Sequence, residues 1–289
     1  MIMPFNAATI GECFEPFVWD VTPRRVLAFK AALAPEDAAA LDDTTPSGQA
    51  ALPMMIVSSE WPVVLSNLSQ PRYGLSAQER IQGVHASQDT RFHRRVLAGD
   101  RLHIRGTLAD ARESRAGAVV TVRLQAQEAG SGALVAESIY TMIYRGVALS
   151  GRSSTSDALE SYELPATADS QRVEIHLPAA FCHVYSECAE IWNPIHTERI
   201  VAIRAGLSGT IVHGTALWAL AGLALAGGAA VERAWLLRRL VARFQRPAYP
   251  GETLQIEHTR SGSRRPFRVD NSKGETLVTG CAELGELPL

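Results

Sequence analysis

The sequence predicts an α+β chain made of two copies of one unit, each a long antiparallel sheet wrapped around a central apolar helix. Three observations predict it. First, Phe92, Arg94, Gly99, Leu102 and Ile104 recur as Phe244, Arg246, Gly251, Leu254 and Ile256, at a constant offset of 152 residues. Asp100 and Glu252 add an acidic match after the glycine, and both segments have the pattern of strand, glycine turn, strand. Second, Ala216–Val231 (ALWALAGLALAGGAAV) is apolar all round, as a helix buried on every side must be. Third, Val120, Val122, Leu124 and Ala126 alternate with Thr121, Arg123, Gln125 and Gln127, the period of a strand with one face inward.

The elements follow in order. The first half has its helix over Pro53–Leu68 (PMMIVSSEWPVVLSNL), interrupted by Pro62, whose ring removes a backbone donor. Gly99 then turns the chain between strands, and Gly130-Ser131-Gly132 closes a hairpin onto a strand over Leu134–Arg145. Residues 148–171 are Ser-rich without sustained periodicity, a linker between units 1–147 and 172–289. The second half repeats the meander over Leu254–Arg260, Phe267–Asp270, a turn at Asn271–Gly274, and Glu275–Leu284. A sheet closing on a wholly apolar helix is the hot-dog arrangement, and two copies make a double hot dog.

Composition sets limits. Hydrophobic residues at 46% and charged residues at 20% suit a globular chain with a sizeable core. A net charge of −2 argues against nucleic-acid binding, which needs a basic face. The apolar run of sixteen residues is shorter than the roughly 20 that span a bilayer, so no membrane role is expected. The four cysteines form no CxxC pair and no signal peptide is visible, so the expected setting is reducing and cytoplasmic. No Walker A, HExxH or zinc-ligand spacing appears, and no metal or cofactor is implied.

The chemistry-bearing segment is Tyr185–Thr215, where Asn193-Pro194-Ile195-His196 precedes Ile211-Val212-His213-Gly214-Thr215 and the apolar helix begins at once. This order resembles the MaoC-like and R-specific enoyl-CoA hydratases, with their N-P-[IL]-H and H-G-[MT] motifs. The resemblance implies a hydratase or dehydratase acting on an acyl thioester of CoA or a carrier protein. It implies one site per chain, because the first half has neither motif. Removing water from a 3-hydroxyacyl thioester needs a base at Cα, a proton for the leaving hydroxyl, and donors for the enolate oxygen. His196 is the expected base, with Asn193 assisting. The amides of Gly214 and Thr215, at a helix start, are the expected donors. His213 is expected to be structural.

One residue departs from the pattern. The family's Asp, two positions before the Asn, is Ile191, which cannot exchange a proton. Three explanations are open. A nearby carboxylate (Glu190, Glu187 or Glu198) moves into the gap, Glu60 reaches across from the other half, or the ordinary hydration does not occur. Tyr185 and Ser186 are candidate hydroxyl donors. The last explanation keeps alive an isomerisation, a cyclisation, a specialised dehydration, or a non-catalytic thioester-binding subunit. The arginines of the second half (Arg233, Arg238, Arg239, Arg243, Arg246, Arg264, Arg265) are candidates for CoA phosphates or an acidic carrier, against the plainer role of a solvated face. A homodimer is compatible with such a chain, which already pairs its own halves.

Overall fold

The computed structural model describes residues 4–151, 162–164, 169–227 and 231–286. Much of the expected linker, 152–161 and 165–168, lies outside the described residues, as does 228–230 at the end of the apolar run. The first half carries strands β1 (Phe5–Asn6), β2 (Phe17–Asp20), β3 (Gly83–Phe92), β4 (Arg101–Ser114), β5 (Gly117–Glu128), β6 (Leu134–Arg145) and β7 (Leu149–Ser150). Its helices are α1 (Pro23–Leu33), α2 (Pro46–Gln49), α3 (Ile56–Leu68) and α4 (Ala77–Ile81). The second half carries β8 (Ser170–His176), then α5 (Phe181–Ala189), α6 (Arg199–Arg204) and α7 (Gly214–Ala226). It ends in the meander β9 (Leu237–Phe244), β10 (Thr253–Thr259), β11 (Arg264–Asp270) and β12 (Thr276–Leu284).

Ten strands form one sheet in the order β2-β4-β5-β6-β3-β9-β12-β11-β10-β8. Five come from each half, and the halves join where β3 pairs antiparallel with β9, from Ser87↔Arg243 to Arg91↔Arg239. The join hides two edges that would otherwise expose unpaired backbone groups. On its outer face Arg239 grips Asp89 with two bonds of 2.8 and 2.7 Å. The same guanidinium holds Glu283 at 3.1 Å. This is a double hot dog.

Each half wraps its own helix. In α7 every residue from Thr215 to Ala226 is buried, and the Trp218 indole N–H finds a partner in the Leu240 carbonyl of β9 at 3.1 Å. The helix has no polar face because it has no solvent face; a buried Leu alone contributes about 2 kcal/mol. Gly222 is the point of closest approach: a Cβ there would stand 2.8 Å from Leu240 Cδ2 and 3.2 Å from Met54 Sδ of the first half. In α3 the expectation of a break at Pro62 is not met. One continuous helix runs from Ile56 to Leu68 with Pro62 inside it, preceded by a 3-10 turn over Pro53–Met55. Burial of Ile56, Val57, Val63, Val64 and Leu68 holds the helix across the hydrogen bond that proline removes.

Candidate active site

A cavity of about 310 Å³ opens between the halves. The second half lines it with Ile191, Asn193, His196, Gly214 and Thr215; the first half adds Val57 and Trp61 of α3, and His85, Tyr140 and Met142 of β3 and β6. Four of the sequence-predicted residues are thus brought together: His196, Asn193, Gly214 and Thr215.

Local geometry explains how the loop reaches the cavity. α5 ends at Glu190 in the left-handed conformation, φ 55°, the single non-glycine residue so placed among the described residues. That reversal sends Ile191 inward, its N–H bonded to the Ser186 carbonyl at 3.1 Å. A turn follows in which the His196 N–H meets the Asn193 carbonyl at 3.0 Å, and the Glu198 N–H meets that of Pro194 at 2.8 Å. Pro194 fixes φ in this turn.

The orientation of His196 follows from one bond. Its Nδ1 lies 2.7 Å from the Ile211 carbonyl oxygen, which only accepts, so Nδ1 carries the proton. Nε2 keeps its lone pair, which is the tautomer a base requires. Burial lowers the imidazole to about 4, with the Ile211 bond opposing the shift, so the ring is neutral at ordinary pH.

His213 is the residue before α7. Its Nε2 meets Ser186 Oγ at 2.9 Å and the Ile191 carbonyl at 3.3 Å, tying α5 and the Ile191 turn to the helix start. Burial, and then the neighbouring His196, hold it well below its usual value. The first helical bonds are made by the Ala216 and Leu217 N–H groups onto the His213 carbonyl at 3.0 and 3.2 Å. The Gly214 and Thr215 amides precede that ladder and sit at the positive end of the helix dipole. Such a start can hold the oxygen of a polarised carbonyl.

Six sequence-predicted residues are not in the cavity lining: Tyr185, Ser186, Glu60, Glu187, Glu190 and Glu198. Tyr185 is fully buried behind Thr215 and donates its O–H to Thr215 Oγ1 at 3.2 Å, so its hydroxyl is committed to the helix start. Glu190 does not fill the gap at Ile191: its side chain pairs with Arg25 Nε at 2.9 Å, because the left-handed cap turns it outward. Glu60 faces its own sheet rather than His196. Its Oε2 accepts from Gln88 Nε2 at 3.1 Å, in a buried network where Gln88 also reaches Thr90 and Thr90 meets Ser138 at 2.8 Å. Burial raises its carboxyl to about 7, with Ser138 and Gln88 opposing the shift. Of the named arginines Arg246 lines the cavity, whereas Arg239 is committed to Asp89 and Glu283.

The sequence reading passed over His85, Tyr140, Met142, Val57, Trp61 and Arg145, all first-half residues of the lining. Which half-sheet faces the motif is settled by the β3–β9 join. Among the described residues, no cluster of His, Cys, Asp and Glu could hold a metal ion, and no helix is long and apolar enough to cross a membrane.

Comparisons with known proteins agree with this architecture. Residues 171–281 match the MaoC like domain family, and residues 8–138 match the FAS1-like dehydratase domain region. The chain is 30% identical over 196 residues to 3-hydroxyacyl-thioester dehydratase Y of Mycobacterium tuberculosis, covering 65% of this chain and 65% of that one. A MaoC-like dehydratase from Phytophthora capsici superposes with a TM-score of 0.82 at 19% identity, over 97% of this chain and 98% of the other. Peroxisomal multifunctional enzyme type 2 of Drosophila melanogaster gives 0.77 at 18%, over 94% of this chain but 48% of its own length. At those identities the structural likenesses carry the fold alone. The sequence matches carry the kinship half by half: residues 171–281 match the MaoC like domain and residues 8–138 the FAS1-like dehydratase domain region.

Proposed function

We propose that the protein is a hydro-lyase that adds or removes water at the β-carbon of a 2-enoyl or 3-hydroxyacyl thioester. The observation that carries this reading is the pairing of a neutral His196, its Nε2 lone pair free, with Gly214 and Thr215 in one cavity, their amides preceding the first hydrogen bonds of α7. With the thioester oxygen at those amides, His196 removes the α-proton while the helix start holds the enolate. Asn193 is suited to orient the β-oxygen. The 3-hydroxyacyl-thioester dehydratase named among the relatives supports the substrate class.

The division of labour follows the two units, 1–147 and 172–289, joined through 148–171. The second supplies the base and the amides, and the first supplies apolar lining for the acyl group through Val57, Trp61 and Met142. Arg145 and Arg246 at the lining suit the phosphate-bearing arm of CoA or of a carrier protein. The four free cysteines suit a reducing cytoplasm. A second reading, favoured by Ile191, keeps the site and changes the reaction to another proton transfer at the same thioester.

The test is a panel of 2-enoyl- and 3-hydroxyacyl-CoA thioesters of graded length, followed by enoyl absorbance and product mass, with His196→Ala beside the wild type. Turnover lost in the variant supports the reading. Binding without turnover by the wild type sinks it in favour of the second.

A further inference from the structure

Among the described first-half residues of the cavity lining, Tyr140 of β6 alone bears a hydroxyl. Val57 and Trp61 of α3 and Met142 of the same strand give that wall its apolar part. The Tyr140 ring stacks on His85, centroids 4.2 Å apart at 26°, and His85 in turn meets Phe244 of the second half at 4.8 Å. Phe244 Cζ and His85 Nδ1 stand 3.3 and 3.4 Å from where a Cβ on Gly214 would lie. Tyr140 is thus one ring removed from the start of α7, and both halves set its place.

The hydroxyl itself is uncommitted. Tyr140 is 5% exposed, and its oxygen has no hydrogen-bond partner among the described residues. Nor is it one of the enclosed polar atoms, which include Nε2 of His85 and Oε1 of Gln88. It therefore keeps accessible surface, and the space that Tyr140 borders is the cavity. Neighbouring tyrosines differ: Tyr144 donates to Met142 Sδ at 3.7 Å, and Tyr185 donates to Thr215 Oγ1 at 3.2 Å. Water serves a hydroxyl in an open cavity; a plain alkyl chain would displace that water and leave the donor unpaired. Burial, and then Tyr144 and Glu60, hold the phenol above its usual value, so it stays protonated and donates. Glu60 acts on it through charge, so a carboxylate on the chain would meet repulsion there, whereas a neutral oxygen would not.

We propose that Tyr140 donates a hydrogen bond to a neutral oxygen, a hydroxyl or keto group, carried by the acyl chain beyond its β-carbon. The site then selects oxygenated chains over plain alkyl ones. The inference rests on the hydro-lyase reading, which makes an acyl thioester the occupant of the cavity. On that reading His196, Gly214 and Thr215 of the second half address the thioester and Cα, so a donor on the first-half wall meets the chain farther along. Val57, Trp61 and Met142 take the hydrocarbon, and Tyr140 reads the oxygen. No bond of the substrate forms or breaks at Tyr140; its role is selection.

The experiment uses Tyr140→Phe, which keeps the ring against His85 and removes only the hydroxyl. Kd is measured, for wild type and variant, with pairs of saturated acyl-CoA thioesters of equal length. One of each pair is plain, and the other carries a hydroxyl or keto oxygen at successive carbons beyond the β-carbon. At one position the wild type should bind the oxygenated chain at least about 10-fold more tightly than the plain one. In Tyr140→Phe that ratio should fall to within about threefold of unity. A wild type without preference at every position, or a preference that survives in Tyr140→Phe, would overturn the proposal. Saturated chains cannot be hydrated, so this result does not depend on turnover. A wild type that binds them but turns over no 2-enoyl-CoA would remove the hydro-lyase reading, and the Kd ratio would still judge Tyr140.

Discussion

The imidazoles of His196 and His213 lie face to face, ring centroids 3.7 Å apart and planes 22° from parallel. Two cations at that separation would repel by about 4 kcal/mol even at an effective dielectric constant of about 20. Burial and this repulsion together keep both rings neutral, and the Ile211 carbonyl sets the direction of the His196 ring.

The acid side of the pH–rate profile follows from this. A base must be unprotonated, and burial lowers His196 to about 4. Activity should stay level from neutral pH down to about pH 5 and fall only as the pH passes through about 4. Short assays in kcat/KM against pH read it directly. An acid limb near 6.5, the ordinary histidine value, would mean that His196 is solvated.

Glu60 makes an opposite prediction for stability. Its carboxyl is raised to about 7 in the fold, so the protonated form is the favoured one. The associated stability is fully present below the unfolded value near 4.3, and is lost as pH rises from there through about 7. Above that pH the charged form should cost the fold about 3 kcal/mol. Glu60→Gln should be less stable or equal at pH 4, and more stable than the wild type at pH 8. Urea unfolding at the two values checks the sign. A difference that does not change with pH would show that Glu60 is not buried as charge.

Gly280 of β12 is the tightest position in the second half-sheet. A Cβ there would stand 2.0 Å from the Val241 carbonyl oxygen and 2.6 Å from the Phe267 ring. Backbone cannot yield as a flexible side chain does, so Gly280→Ala should destabilise by about 3 kcal/mol. Thermal unfolding compares it with Gly274→Ala, where nothing lies within 4 Å and only the positive φ of 77° is strained. A smaller loss at Gly280 than at Gly274 would contradict the packing described here.

Much of this architecture was legible in the sequence, for identifiable reasons. The repeat from Phe92 and from Phe244 runs without a gap, so both strand–turn–strand units could be placed. The α7 run has no polar face, so its burial could be inferred before any partner was known. His85 was not legible because its neighbours Gly214 and Phe244 reach it only through the β3–β9 join and the bulge at Ala86. Glu190 looked available because its partner, Arg25, lies 165 residues away. Pro62 looked like a break because sequence shows the missing donor and not the packing that compensates for it.

The proposed function turns on the exchange of water at the β-carbon with His196 as the base. It is tested most directly in water labelled with heavy oxygen, using a 2-enoyl-CoA of the preferred length and the mass of the product. The expected product is a 3-hydroxyacyl-CoA carrying the label at the β-carbon, formed by the wild type and absent with His196→Ala. Unlabelled product, or label incorporated equally by His196→Ala, would contradict it.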